Sequence, residues 1–227
     1  MSAHGLQHNH PDNEISEAMF GLRYTPAKPR PETCEACFWE LRAREPWIKT
    51  FTGKFVNPIN LKVEDIDIRD IAHHLACTNR WAGALKQPIS VAQHSVHVMR
   101  LCRGSGFELE ALMHDATEAY LGDVTKWLKS HASMAFYREA EMRTHRVICE
   151  KFGMDPSLIC PEVERADRMM INIEAAFGFD EWRSLPGFPV PTPADLERCK
   201  LYSSWDWKHA EMTFLDCFQF HADRREP

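Results

Sequence analysis

The sequence predicts an all-α helical bundle with one small extended or hairpin element ahead of its first core helix. Three observations predict it. Apolar residues recur at helical spacing from Asp67 onward. Capping residues and glycines bracket those stretches. Only WIKTFTGKFVNPI, at 47–59, gathers β-branched and aromatic residues around a glycine, as a hairpin or extended clamp would.

With 227 residues, 44% hydrophobic and 26% charged, the chain is long enough to bury a real core. Residues 1–45 are polar, carry Pro26, Pro29 and Pro31, and read as an irregular leader with a short helix around Cys34 to Arg44. Residues 46–185 read as the main domain. Pro186, Pro189, Pro191 and Pro193 mark a linker into a C-terminal helical extension, 186–227, which holds Trp205, Trp207, Phe214 and Phe218 and is expected to pack on the core.

Within the main domain, Asp67 is placed to cap IRDIAHHLACTNR, whose Ile68, Ile71, Ala72 and Leu75 share a face. Pro88 breaks the chain, and Ser90 caps VAQHSVHVMRLC, with His94 close to its apolar stripe. Gly104 and Gly106 end that helix. A continuous helix is expected from about Glu108 to Leu121, ended by Gly122, with Asp123 capping VTKWLK. A long amphipathic helix from about Ala132 to Phe152 stops at Gly153, and Pro161 opens EVERADRMMINIEAAF, which carries Asp167.

The formal net charge of −6 argues against a general binder of nucleic-acid polymers or anionic membranes. The start, MSAHGLQHNHPDNEIS, lacks the apolar core of a signal peptide, and no apolar run approaches the ~18 residues of a membrane span. The 8 cysteines are scattered, as in a cytoplasmic protein with reduced thiols. Cys34 and Cys37 form a single C-x-x-C. His4, His8 and His10 are its nearest candidate co-ligands for zinc, at an unconvincing spacing.

His114 and Asp115 are neighbours on an otherwise apolar stretch. On a helix their side chains lie ~100° apart, so one ion beside it meets both. His94 and Asp167 sit on or beside the buried stripes of two further helices, and bundles build metal sites from such inward residues. Two imidazoles and two carboxylates suit one divalent ion such as Mn, Co, Fe or Zn. Such an ion screens phosphate charge and acidifies a water. A single histidine of this kind is more often a satisfied core residue. The pair His114–Asp115 is harder to explain that way, because burying it is costly without compensation.

The ordered set AQHS (92–95), LMHD (112–115) and RADRM (165–169) resembles the HD-domain phosphohydrolases. HDATEAYLGDVTKWLK (114–129) and DIAHHLACTNRWAG (70–83) resemble the branch of bacterial 5′-deoxynucleotidases and phage dATP triphosphohydrolases. The resemblance covers roughly residues 50 to 180. It implies that His94, His114, Asp115 and Asp167 ligate the metal, and that Glu118 orients or deprotonates the attacking water. It implies that Asp123 sits near the leaving oxygen or sugar, that Arg80 binds phosphate, and that Trp81 packs on the sugar. Lys129, and less so Lys126, could meet phosphate.

The activity implied is hydrolysis of a deoxynucleoside 5′-monophosphate to nucleoside and phosphate. The alternatives are a triphosphohydrolase releasing triphosphate from a dNTP, and a nucleotide-sensing protein without turnover. The expected partners are a small nucleotide and further copies of the chain, as a dimer or larger assembly. His131 and His145 lie where two-metal members of the family place extra ligands, but the longer motifs of those members are missing, so one metal is expected.

Overall fold

A computed structural model describes residues 47–157, 160–180, 187–201 and 203–224. The leader, with its expected short helix, Cys34 and Cys37, lies outside the described residues, as does Pro186. The fold is all-α, with a two-stranded hairpin before the helices. β1 (Ile48–Lys49) pairs antiparallel with β2 (Phe55–Val56), with Ile48 opposite Val56 and Lys49 opposite Phe55. The helices follow as α1 (Ile68–Cys77), α2 (Val91–Leu101), α3 (Glu108–Met113), α4 (Glu118–Leu121), α5 (Lys126–Lys129), α6 (Ala135–Phe152), α7 (Pro161–Gly178), α8 (Pro193–Cys199) and α9 (Trp207–Ala222). Among the described residues, no helix is long and apolar enough to cross a membrane.

The helix starts obey local chemistry. The Asp67 side chain accepts the Arg69 backbone N–H at the head of α1, and the Ser90 hydroxyl accepts that of Gln93 at the head of α2. Pro161 opens α7 at a position whose N–H needs no intrahelical partner. Gly153 closes α6 in the left-handed conformation. The hairpin is clamped to α1 through buried Asp70, which accepts the Thr52 N–H at 2.6 Å and its hydroxyl at 2.9 Å. Removing that carboxylate would strand two part-buried donors, at a cost of about 1 kcal/mol or more.

α2 is the axis of the bundle. It packs against α1, α3, α7, α8 and α9, and Val91 to Met99 are all buried. A helix surrounded on every side must pair the polar groups it carries. Gln93 donates to the Ser203 carbonyl and accepts the Trp205 N–H, while His97 Nδ1 donates to the Cys199 carbonyl at 2.7 Å. These bonds fasten the segment between α8 and α9 to the core.

Three expectations need correction. The helix expected over Glu108–Leu121 is interrupted at 114–117. There His114 Nδ1 donates to the Ala111 carbonyl at 2.8 Å, an acceptor that a continuous helix would offer to the Asp115 N–H. The backbone tightens to three-residue spacing: Ala116 N–H bonds to Met113 and Glu118 N–H to Asp115. Asp123 does not cap the next helix; α5 starts after Thr125, and Asp123 faces a cavity. Residues Ala132–Met134 form a 3-10 turn, so α6 proper begins at Ala135.

Candidate metal centre

His94 comes from the first turn of α2, His114 and Asp115 from the tight turn after α3, and Asp167 from the second turn of α7. The bundle brings all four together. His94 Nε2 lies 3.3 Å from His114 Nε2, 3.5 Å from Asp115 Oδ2 and 3.3 Å from Asp167 Oδ1. His114 Nε2 lies 3.1 Å from Asp115 Oδ2 and 3.7 Å from Asp167 Oδ1.

The outer nitrogens of both rings are committed. His94 Nδ1 meets Glu174 Oε1 at 2.6 Å, and His114 Nδ1 meets the Ala111 carbonyl at 2.8 Å. Each neutral ring therefore turns an unprotonated Nε2 toward the other at a distance where two lone pairs repel. Only a proton or a cation relieves that arrangement. Without a cation, both imidazoles hold protons above their usual range. Burial opposes this in both rings. For His94, Arg80 opposes it too, and Glu174 and Asp167 outweigh the two; for His114, Asp115 and Asp167 prevail. Reciprocally, the imidazoles hold the Asp115 and Asp167 carboxyls well below the usual range, although burial acts to raise them. His94, His114 and Asp115 thus form a largely buried group that can hold a metal ion, with their ligand atoms all within 4.8 Å of one another.

A cavity of about 380 Å³ opens beside this group. Asp115, Asp167, Glu118 and Asp123 line its acidic side, and Arg80, Lys126 and Lys129 supply cations. Trp81, Val124, Trp127, Ile171 and Phe188 give it an apolar wall. This combination of an apolar surface with a few convergent polar groups is the usual make-up of a small-molecule site.

Glu118 is buried, with Oε1 3.2 Å from Lys129 Nζ and Oε2 without a hydrogen-bond partner among the described residues. Burial, then the charges of Asp115 and Asp123, push its carboxyl up to about 9 against the pull of Lys129 and Arg80. Burial likewise raises the Asp123 carboxyl. Lys129 also binds Glu141 at 2.7 Å. Arg80 donates through Nε to Glu174 at 3.1 Å and contacts Asp115 at 3.4 Å.

The turn that carries Arg80 and Trp81 is unusual. Trp81 and Ala82 adopt left-handed backbone angles, φ 57° and 49°, which cost about 1–3 kcal/mol each and persist where surrounding contacts enforce them. Two such contacts are visible. The Trp81 indole N–H donates to Glu174 at 2.9 Å, and the end of the turn abuts Gly178, where the Lys86 N–H bonds to the Gly178 carbonyl at 3.1 Å.

Glu174 is the residue that sequence reasoning missed. It is fully buried and joins His94, Arg80 and Trp81. A signal was available: it falls seven residues after Asp167, two turns along the same face of α7. His131 bonds to Ser133, while His145, beside Cys149 at 3.4 Å, lines a second cavity with His114 and Asp167.

No family model matches the chain. It is 40% identical over 148 residues to the uncharacterized protein YfdR of Escherichia coli K12, a match covering 63% of this chain and 81% of the relative. It is 31% identical over 163 residues to the uncharacterized protein RCAP_rcc00048 of Rhodobacter capsulatus, covering 66% and 83% respectively. A helical bundle with a candidate His–His–Asp metal centre is therefore the class of protein. The chain belongs to the family of YfdR and RCAP_rcc00048, whose names assign them no activity.

Proposed function

We propose that this chain is a metal-dependent phosphohydrolase of the HD type, cleaving a deoxynucleoside 5′-monophosphate to nucleoside and phosphate. The observation that carries the reading is Glu118 Oε2, a buried carboxyl oxygen without a partner among the described residues, in a residue that lines the same cavity as Asp115 and Asp167. A buried polar atom at a cavity wall is normally bonded, and a water or ligand in the cavity is placed to supply that bond.

The ligand set in this reading is His94, His114, Asp115 and Asp167 around one ion of Mn, Co, Fe or Zn, a mixed nitrogen and oxygen set that suits all four metals. When bound, the ion supplies positive charge that screens a phosphate and acidifies a water. The protein supplies the rest. Burial and the charge of Asp115 hold the proton on Glu118 in the ion-free protein; with that charge offset by a bound ion, Glu118 would ionise and take the water's proton at Oε2 as general base. Arg80 and Lys129 meet phosphate oxygens, and Asp123 faces the leaving oxygen or the sugar. Trp81 packs on the sugar, where a 2′-hydroxyl would crowd it.

The cation supply favours a monophosphate over a triphosphate. Arg80 is already shared between Glu174 and Asp115, and Lys129 between Glu118 and Glu141. Arg80 and Lys129 therefore bring a phosphate only part of their charge, and of the cavity's three basic side chains Lys126 is the one with no ion pair among the described residues, which suits one phosphate better than a chain of them. A cytoplasmic location goes with the reading, since the six described cysteines are free thiols, as a reducing compartment requires.

The test is product analysis. Metal-stripped protein is reloaded with Mn, Co, Fe or Zn and incubated with dNMPs, NMPs and dNTPs, and phosphate and triphosphate are quantified separately. Phosphate from dNMPs is expected. Intact triphosphate from a dNTP would replace the nucleotidase by the triphosphohydrolase. Nucleotide binding with no turnover under any metal would overturn the enzyme reading in favour of a sensor.

A further inference from the structure

Glu174 occupies a position that the ligand set alone does not require. Its two carboxylate oxygens are fully buried and receive three hydrogen bonds, all from donors. Oε1 takes His94 Nδ1 at 2.6 Å; Oε2 takes Arg80 Nε at 3.1 Å and Trp81 Nε1 at 2.9 Å. One face of the carboxylate therefore holds a metal-centre histidine, and the other holds the two side chains of the strained turn at the cavity wall.

We infer that Glu174 is the positioning residue of the centre: it fixes the His94 proton on Nδ1, so that Nε2 is free to ligate, and it ties that choice to the placement of Arg80 and Trp81. The chemistry follows from the donor count. A carboxylate accepts on both oxygens, so it satisfies both faces at once. A glutamine has the same shape but one oxygen and one NH2. Whichever way its amide turns, the NH2 meets a donor. Facing His94, it selects the opposite tautomer, which directs an N–H into the centre and removes a ligand. Facing Arg80 and Trp81, it drives them from their present positions. Partners of this kind orient ligating histidines and typically change metal affinity 10–100-fold when lost.

The inference rests on reading the cluster as a metal centre, and its test reads zinc rather than turnover. Zinc affinity of the full-length wild type and of Glu174→Gln is measured by competition with a chelating dye, with folding followed by circular dichroism. In parallel, long-range 1H–15N spectra of the zinc-loaded wild type locate the His94 proton, a readout that needs no variant to fold. A folded Glu174→Gln with 10–100-fold weaker zinc binding, and a wild-type proton on Nδ1, are expected. Wild-type zinc affinity in the folded glutamine variant would overturn the inference, because a merely space-filling Glu174 predicts it; a proton on Nε2 would overturn it too, because Nε2 would then not be free to ligate. A wild type that binds zinc yet hydrolyses no nucleotide would overturn the phosphohydrolase and leave this inference standing. A wild type that binds none of Mn, Co, Fe and Zn would overturn both.

Discussion

His94 Nε2 and His114 Nε2 face each other at 3.3 Å while the Nδ1 of each ring is already bonded, one to Glu174 and one to the Ala111 carbonyl. Two acceptors cannot rest at that distance unless something positive lies between them.

The first prediction concerns that positive charge. The chain should bind one divalent ion, and ions at 100 times their Kd should stabilise the fold by about 2.7 kcal/mol. Because both imidazole pKa values are raised in the ion-free protein, protons compete with the metal and are released as it binds. Affinity should therefore weaken as pH falls. Calorimetry in two buffers of different ionisation enthalpy measures the released protons, and Asp115→Ala should abolish the binding.

Glu118 separates binding from turnover. Glu118→Gln should keep the metal and bind nucleotide, while kcat falls by roughly 10²–10⁴-fold, the usual contribution of a general base. Full kcat in this variant would remove Glu118 from the role assigned to it.

His97 gives the fold a pH dependence of its own. Burial holds its imidazole neutral and drives its pKa down to about 4; Arg100 and His94 act in the same direction, and the Cys199 carbonyl and Glu174 act against them. Unfolded histidine titrates near 6.5. Between these values the unfolded chain binds the extra proton, so this contribution is complete above pH 6.5 and is lost as pH falls toward 4. The loss is about 3 kcal/mol. In denaturant titrations from pH 7 to 4.5, His97→Gln should lose less stability than the wild type. Parallel losses would contradict the assignment.

Gly178 allows the Arg80 turn to close on α7. A Cβ there would lie 2.6 Å from Leu85 Cδ2 and 2.9 Å from Leu85 Cβ. Gly178→Ala should cost about 1–3 kcal/mol by overpacking and should weaken nucleotide binding by displacing Arg80. Thermal unfolding and nucleotide titration report the two effects. Leu85→Ala in the same chain should recover part of each.

Much of the architecture is legible in the order of residues because its signals are local. Asp67 and Ser90 cap the helices they precede, Pro161 starts one and Gly153 stops one. These residues act on backbone groups within a turn of themselves, so the sequence contains both partners. The candidate ligands His94 and His114–Asp115 were also readable, as polar residues that helical spacing places on or beside apolar stripes. The break at 114–117 was not. Helical periodicity runs through it, and it depends on which acceptor the His114 ring takes.

What the sequence determined by itself is therefore an all-α chain with a hairpin before its core helices, and the residues able to supply a metal centre. Only the tertiary structure decided how those residues are held. Glu174 reaches His94 across 80 residues, Arg80 across 94 and Trp81 across 93. Such a contact leaves no periodic trace. It exists because burying α2 on every side removes water from His94 and obliges a distant carboxylate to take its proton donor.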